Sequence, residues 1–211
     1  MKDPAPSSRI SSRSASHVGF TLIELLTVIA ILAILAAIAI PTVTSARAAA
    51  AKARTRSQFA QWTLACAQFR QEYGYYPALG QTNRLTTVED TRAFVRALTG
   101  RNLDGSAVTD PADLGGNTRR VAFLSLAPSD LRDGRLTDAF GNSEFGVLVD
   151  RDADGLIRPG VDGEVVALTS TDGGSIAPSS TDFPSTGVRA GVVFYSAGRG
   201  DSVDDLVLSW R

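Results

Sequence analysis

The sequence feature that most constrains the fold is an apolar segment at residues 20–40, FTLIELLTVIAILAILAAIAI. Only Thr21, Glu24 and Thr27 within it are polar. A helix needs roughly 20 mostly apolar residues to cross the hydrocarbon of a membrane. The apolar segment is therefore predicted to be a transmembrane helix that tethers the rest of the chain.

Residues 1–19 differ from a secretory signal. Such a signal has an apolar core of about 7–15 residues, and the small residue at the cut comes after that core. Here a Ser- and Arg-rich stretch comes first, and the small residue, Gly19, directly precedes Phe20. We therefore predict that residues 1–19 are a leader, and that a cut between Gly19 and Phe20 leaves the anchor attached.

Glu24 is the only charged residue in the apolar segment. A charge at the centre of a membrane helix costs about 2.5–3.5 kcal/mol on insertion scales, and such a residue usually has a partner. The alternative is an interfacial Glu24 that is wetted at the level of the lipid headgroups. Basic residues leave the orientation of the helix open because they flank it on both sides. They are Lys2, Arg9 and Arg13 before it, and Arg47, Lys52, Arg54 and Arg56 after it.

Residues 19–24, GFTLIE, together with Pro41, resemble the processing and methylation motif of type IV prepilins and type II secretion pseudopilins. The resemblance implies that a membrane aspartyl peptidase cuts after Gly19 on the cytoplasmic side and N-methylates Phe20. It implies a single-pass inner-membrane protein whose C-terminal domain lies in the periplasm and later in a filament. The implied partners are other pilin or pseudopilin subunits, the prepilin peptidase and methyltransferase, and an inner-membrane assembly platform.

The same resemblance gives roles to Glu24 and Pro41. Glu24 would be the fifth residue of the mature chain and would pair with the terminal amine of a neighbouring subunit. A buried carboxylate needs a paired cation, and the cut creates one on Phe20 at the same membrane depth. Pro41 lacks an amide donor, so it is expected to kink or locally melt the helix in a filament.

The helix is predicted to continue as an amphipathic half at residues 41–76. Apolar side chains recur there at spacings of three and four residues, which places them on one face. They are Phe59, Trp62, Cys66, Phe69 and Tyr73. Gly74 and then Pro77 are typical of a helix end, so one helix of about fifty residues results. Its apolar face needs a cover, and the predicted fold class is α+β and pilin-like, with this helix packed on a small antiparallel β-sheet.

Residues 77–211 are predicted to form one periplasmic globular domain. Thr86-x-x-Glu89 resembles a capping box, and the apolar pattern that follows ends at Gly100, which indicates a second helix. Residues 101–118 are rich in Gly, Asp and Asn and are expected to be a surface loop. Short apolar runs bounded by turn residues predict five strands of an antiparallel sheet. They lie at residues 120–126, 144–149, 164–168, 191–195 and 205–209.

Few residues of the chain could carry catalysis. The only histidine, His17, lies in the predicted leader, so the mature chain has no Ser-His-Asp or Cys-His arrangement. Cys66 is the only cysteine, which excludes an intrachain disulfide and a cysteine-based zinc site, and its place on the apolar face predicts burial. A net charge of −1 is not typical of a nucleic-acid-binding protein. We expect that the chain is not an enzyme.

One candidate calcium site lies at residues 150–155. Asp150, Asp152 and Asp154, followed by Gly155, have the spacing that begins an EF-hand loop. The twelfth position of that loop is Val161, where an EF-hand has glutamate. An Asp/Gly β-turn between strands is the alternative.

A second candidate calcium site follows from another resemblance. Residues 194–210 resemble the end of the major pseudopilins of type II secretion, the general secretion pathway protein G-like subunits, in which a loop between the last strands binds calcium. The implied ligands are Ser196, Asp201, Asp204 and Asp205. Arg199 stands where the family often has aspartate. Residues 137–142, TDAFGN, are similar to the family's D-P-W-G-N turn.

These features favour a structural subunit of a type II secretion pseudopilus, whose work is mechanical. A type IV pilin of a surface fibre, for adhesion, motility or DNA uptake, is the alternative. Pilins commonly end in a disulfide-bounded loop, which one cysteine cannot form. A membrane-tethered periplasmic binding module or enzyme is a third hypothesis, and the missing catalytic motifs count against it.

Overall fold

The structure is a computed structural model that describes residues 20–79, 83–170, 173–200 and 202–211. The predicted leader, with Gly19, lies outside these residues, and so does Asp201. The chain divides into two compact units, one that ends at Thr44 and one that spans Ser45–Arg211.

The first element is a long helix, α1, at Leu22–Tyr73. Gly74 ends it with a φ of 81°, and its N–H donates to the Arg70 carbonyl at 2.8 Å. A left-handed glycine after the last turn is a common helix stop, so the predicted end of the helix is confirmed. Helical backbone continues through Pro41. The local melting expected at Pro41 concerns the filament and stays a prediction.

The apolar segment keeps its side chains uncovered. The most apolar window of α1 is 0% buried, and Leu22, Leu26 and Ile34 are each more than half exposed. Soluble proteins rarely leave so large a continuous apolar surface in water. Among the described residues, α1 is the one helix that is long and apolar enough to cross a membrane.

The Ser45–Arg211 unit is built on a four-stranded antiparallel sheet. Its strands are β1 at Arg84–Leu85, β4 at Phe145–Val149, β7 at Val192–Ser196 and β8 at Val207–Leu208, in the spatial order β1-β4-β7-β8. Two small antiparallel pairs join β2 at Leu131–Arg132 to β3 at Arg135–Leu136, and β5 at Leu168–Thr169 to β6 at Ser175–Ile176. One long helix with small antiparallel sheets confirms the predicted α+β, pilin-like fold class.

One face of the sheet packs against the second half of α1. The predicted apolar face supplies four side chains that are at most 1% exposed: Phe59, Trp62, Cys66 and Phe69. The ring of Trp62 packs edge-on against Phe145 of β4 and Phe194 of β7, with centroids 5.2 and 5.3 Å apart. We call this cluster the first core, and it confirms that the helix buries its apolar face on the sheet.

The opposite face of the sheet is buried as well. Leu148 of β4, and Val193 and Tyr195 of β7, point away from α1 into a second cluster, the second core. Residues between β4 and β7 supply the other side of this cluster, chiefly Ile157, Leu168, Ile176 and Phe183. The Tyr195 hydroxyl donates to the Val166 carbonyl and accepts from the Val166 N–H, both at 2.9 Å. A third layer therefore covers the sheet, which the sequence did not predict.

The second helix, α2, spans Val88–Thr99 and ends at Gly100, as predicted. Its capping box is not the predicted pair. Thr87 is the N-cap, its hydroxyl accepts from the Asp90 N–H at 3.0 Å, and the Asp90 carboxylate accepts from the Thr87 N–H at 2.9 Å. Glu89 instead pairs with Arg92 at 3.2 Å. The box lies one residue later than predicted because the helix begins at Val88. Asp90 then occupies the third helical position, where an aspartate serves in the same way as a glutamate.

The predicted strands have mixed outcomes. The strands at 144–149 and 191–195 are confirmed as β4 and β7, whereas the one at 205–209 is reduced to β8 after a 3-10 turn at Val203–Asp205. The one at 164–168 meets β5 only at its last residue. The prediction at 120–126 is wrong, because the N–H groups of Phe123 and Leu124 both donate to the Leu98 carbonyl.

The predicted surface loop at residues 101–118 contributes to the interior of the unit. Val108, Leu114 and Asn117 are at most 2% exposed, and Pro111–Leu114 forms a 3-10 turn. The Asn117 side chain donates to the Ala97 carbonyl at 3.0 Å. This segment is anchored by single buried side chains, so it shows no apolar period in the sequence.

Candidate functional site

The predicted processing site lies at the beginning of α1. Gly19 is outside the described residues, and Phe20 is 70% exposed just before the helix. Glu24 accepts hydrogen bonds through Oε2 from the Thr21 N–H at 2.9 Å and the Thr21 hydroxyl at 2.7 Å. The Thr21 hydroxyl in turn accepts from the Glu24 N–H at 3.3 Å. Thr21 and Glu24 thus form a capping box, a pattern that the letters T-x-x-E also show in the sequence.

This capping box defines the state of Glu24 in the isolated chain. Both bonds to its carboxylate fall on Oε2, and no described residue donates to Oε1. The carboxylate is exposed at the helix start, where the partial positive charge of the helix favours an anion. Glu24 can therefore accept a cationic donor from outside the chain without first releasing Thr21.

The described candidate calcium ligands near the C-terminus form hydrogen bonds with other groups of the protein. The Ser196 hydroxyl is buried and donates to Asp138 Oδ2 at 2.7 Å. Asp205 accepts from the Ser202 N–H at 3.0 Å and so caps the Val203–Asp205 turn. The backbone carbonyl of Asp204 accepts from Lys52 Nζ at 2.7 Å, which ties this turn to α1. Calcium binding by these residues stays a prediction.

Asp138, within the TDAFGN turn, accepts the hydrogen bonds that hold this turn together, a role that the sequence did not indicate. It is 6% exposed and accepts from the N–H groups of Phe140 at 2.9 Å and Asn142 at 2.8 Å. Its other oxygen accepts from the Asn142 side chain and the Ser196 hydroxyl. Burial raises the pKa of Asp138, and the hydrogen bonds from Ser196 and Asn142 act in the opposite direction. The turn is thereby fixed to the end of β7.

The acidic loop after β4 holds its three aspartates in different environments. Asp150 is buried, whereas Asp152 and Asp154 are exposed. Asp154 forms an ion pair with Arg158 and caps the Leu156 N–H at 2.8 Å. The Asp150 carboxylate accepts from the Gly155 N–H at 3.0 Å, a contact that fits either an Asp/Gly turn or a calcium loop.

The third acidic residue beside Asp150 and Asp152 is Asp162, not Asp154. One carboxylate oxygen from each of Asp150, Asp152 and Asp162 lies within 4.8 Å of the others. Asp162 is 1% exposed, and its two oxygens accept from the N–H groups of Arg151 at 2.9 Å and Arg158 at 2.8 Å. Sequence spacing could not identify Asp162, because its approach depends on the path of the intervening loop.

Cys66 is placed as predicted, inside the first core. It is 0% exposed, and burial raises the pKa of its thiol. A buried thiol of this kind packs as a small apolar side chain and is a poor nucleophile.

One comparison with known proteins gives a match. The prokaryotic N-terminal methylation motif matches residues 19–40. No curated protein and no solved structure matches the chain. The match assigns a type IV prepilin-like processing signal to the start of the apolar helix. Together, the motif and the helix fit a membrane-anchored single-pass protein.

Proposed function

We propose that this chain is a structural subunit of a type II secretion pseudopilus, cut after Gly19, methylated on Phe20 and assembled through α1. The observation that carries the proposal is the methylation motif at residues 19–40, directly at the start of a helix with uncovered apolar side chains. Processing keeps this helix as an inner-membrane anchor, and assembly supplies neighbouring helices. The role is mechanical, and we propose that the chain is not an enzyme.

Glu24 links processing to assembly in this proposal. The cut frees an amine on Phe20, and methylation leaves that amine able to carry a positive charge. An amine of a neighbouring subunit can bind Oε1 of Glu24, which has no donor among the described residues. In lipid, this pairing removes the cost of an isolated carboxylate. Subunits without the cut lack the amine, so only processed chains are competent to assemble.

A pseudopilus is favoured over a surface pilus by two features. The run that ends the chain resembles the calcium-binding end of major pseudopilins, and the single cysteine cannot close the disulfide loop that is common in pilins. Calcium bound by Ser196, Asp201, Asp204 and Asp205 belongs to this finer proposal. Deleting the gene for this chain in its host should stop the export of folded proteins. Loss of surface-fibre motility with normal export would favour the pilin alternative.

The processing step is tested with Gly19→Val in cells that contain a prepilin peptidase. We expect intact-mass spectrometry to show wild-type chains that begin with N-methylated Phe20, and variant chains that keep residues 1–19. A branched side chain at the cut should block the peptidase. Wild-type chains that keep the leader in these cells would contradict the proposal.

The assembly step is tested with Glu24→Ala, with Thr21→Ala as its matched control. Each variant breaks one half of the capping box: Thr21→Ala removes the hydroxyl that accepts from the Glu24 N–H, and only Glu24→Ala removes the carboxylate that binds the amine. We expect both to be cut and inserted, and only Glu24→Ala to be missing from sheared filaments. Equal loss of filaments in both variants would mean that Glu24 acts through its own helix cap. Normal assembly of Glu24→Ala would exclude the amine pairing.

A further inference from the structure

A cluster of three carboxylates lies where β4 ends beside the beginning of β7. Asp150 directly follows β4, and its N–H donates to the Gly191 carbonyl at 2.9 Å. One oxygen each of Asp150, Asp152 and Asp162 falls within a 4.8 Å span. Three like charges this close repel one another unless a cation is shared among them.

An unpartnered oxygen provides an independent indication of a ligand. Asp150 is 2% exposed, and its Oδ1 has no hydrogen-bond partner among the residues that the structure describes. A buried carboxylate oxygen without a donor is strongly unfavourable, and such atoms in native proteins usually indicate an ion or a water. The oxygen belongs to the same residue that anchors the cluster to the sheet.

The neighbouring arginines do not neutralise the cluster. Within the described part of the chain, the Arg158 guanidinium pairs with Asp154, and the Arg151 guanidinium donates to the Asn83 side chain at 3.4 Å. Arg151 and Arg158 reach Asp162 only through their backbone N–H groups. Each of these amides uses one lone pair of its carboxylate oxygen, and a second lone pair remains for a metal.

The donor set and its spacing favour calcium. All three ligands are oxygens, which suits a hard cation, and calcium accepts oxygens at about 2.3–2.6 Å in flexible geometry. Two oxygens on opposite sides of one calcium ion are therefore roughly 4.6–5.2 Å apart, which accommodates the observed span. Magnesium requires shorter distances, of about 2.0–2.1 Å, and a near-octahedral arrangement. The exposed Asp152 leaves the site open to the waters that complete the coordination.

We propose that Asp150, Asp152 and Asp162 form a binding site for one calcium ion. The ion joins the end of β4 to the far end of the loop at residues 150–162, and so fixes the beginning of the layer that covers the second core. The site is separate from the ligands expected after Ser196, and it does not depend on the filament role of the chain.

The test uses the processed full-length chain in detergent, freed of metal with a chelator. All chains carry Asp204→Asn and Asp205→Asn, so that the C-terminal candidate site does not contribute. Terbium(III) is the probe for calcium and is detected by luminescence sensitised by aromatic side chains. Tyr76 is a suitable donor, because its hydroxyl fills the space where a side chain on Gly191 would lie.

We expect terbium to bind this background chain and calcium to displace it. Asp150→Asn and Asp152→Asn should each weaken binding by at least about tenfold, since even outer-shell changes at metal sites cost 10–100-fold. Asp154→Asn is the matched control, an acidic residue of the same loop outside the cluster, and should bind as the background does. Asp152 is exposed, so its variant should keep the near-ultraviolet circular dichroism of the parent.

The proposal is overturned by unchanged affinity in Asp152→Asn, or by equal loss in Asp154→Asn. It is also overturned if the background chain binds neither terbium nor calcium. If Asp150→Asn fails to fold, Asp152→Asn alone decides the result.

Discussion

At the residue scale, the chain uses its carboxylates for distinct tasks. Asp138 accepts four hydrogen bonds inside the protein, whereas Asp150 keeps one buried oxygen without a donor among the described residues. Glu24 caps its own helix through one oxygen and keeps the other available. Sequence motifs identified Glu24 and Asp150 because their neighbours are local. Asp162 escaped detection because its partners are brought together only by the folded loop.

Asp138→Asn is expected to destabilise the Ser45–Arg211 unit by about 1–3 kcal/mol, the cost of leaving buried polar groups unsatisfied. Every group bonded to this carboxylate is a donor in the structure, so an amide nitrogen in place of one oxygen would face the Asn142 side-chain N–H. Urea unfolding monitored by tryptophan fluorescence measures the loss. Asp133→Asn, at an exposed turn position, is the control and should change little. Equal stability of the Asp138 variant would contradict this role.

At the element scale, length decided what the sequence could predict. α1 was predicted almost to its last residue, because its apolar face repeats over several turns and Gly74 marks its end. β4 and β7 were predicted because each has five residues, most of them apolar. Six of the described strands have only two residues, too few to show any alternation, and four of these were not predicted: β1, β2, β3 and β6. Their pairing depends on the surrounding fold.

The corrected cap of α2 gives a prediction at this scale. Thr87→Ala should cost about 1 kcal/mol, because the Asp90 N–H loses its side-chain acceptor. Thr86→Ala is the matched control: Thr86 contributes only its backbone N–H to the cap, donated to Asp90 at 3.1 Å. Urea unfolding curves of the two variants provide the comparison. A larger loss in Thr86→Ala would restore the box predicted from the sequence.

At the scale of the whole molecule, two cores share one thin sheet. Residues of β4 and β7 alternate between them, with Val147 and Phe194 in the first core and Leu148 and Val193 in the second. The sequence indicated the first core through the aromatic face of α1. It could not indicate the second, because its outer layer is a loop-rich segment with scattered apolar residues and no period.

We therefore expect the Ser45–Arg211 unit to unfold in one transition. Phe183→Ala removes a ring from the second core and should cost about 3–5 kcal/mol. In a Trp210→Phe background, Trp62 is the only tryptophan and reports on the first core. The unfolding midpoint that Trp62 fluorescence reports should fall in Phe183→Ala. Leu64→Ala, at a position 58% exposed on α1, is the control. An unchanged midpoint would mean that the two cores unfold separately.

The uncovered apolar segment also determines where subunits can wait before use. A helix with 0% of its apolar window buried has no stable monomeric state in water, so the reservoir of free subunits is the bilayer itself. Lipid tails are as apolar as the helix, so in the proposed assembly the packing between helices, together with the proposed Glu24 pair, drives the exchange of lipid for protein neighbours. Growth of the proposed filament is then limited by the supply of subunits within the plane of the membrane. Under that proposal, the growth rate follows the number of processed chains per unit area of membrane near the proposed assembly platform.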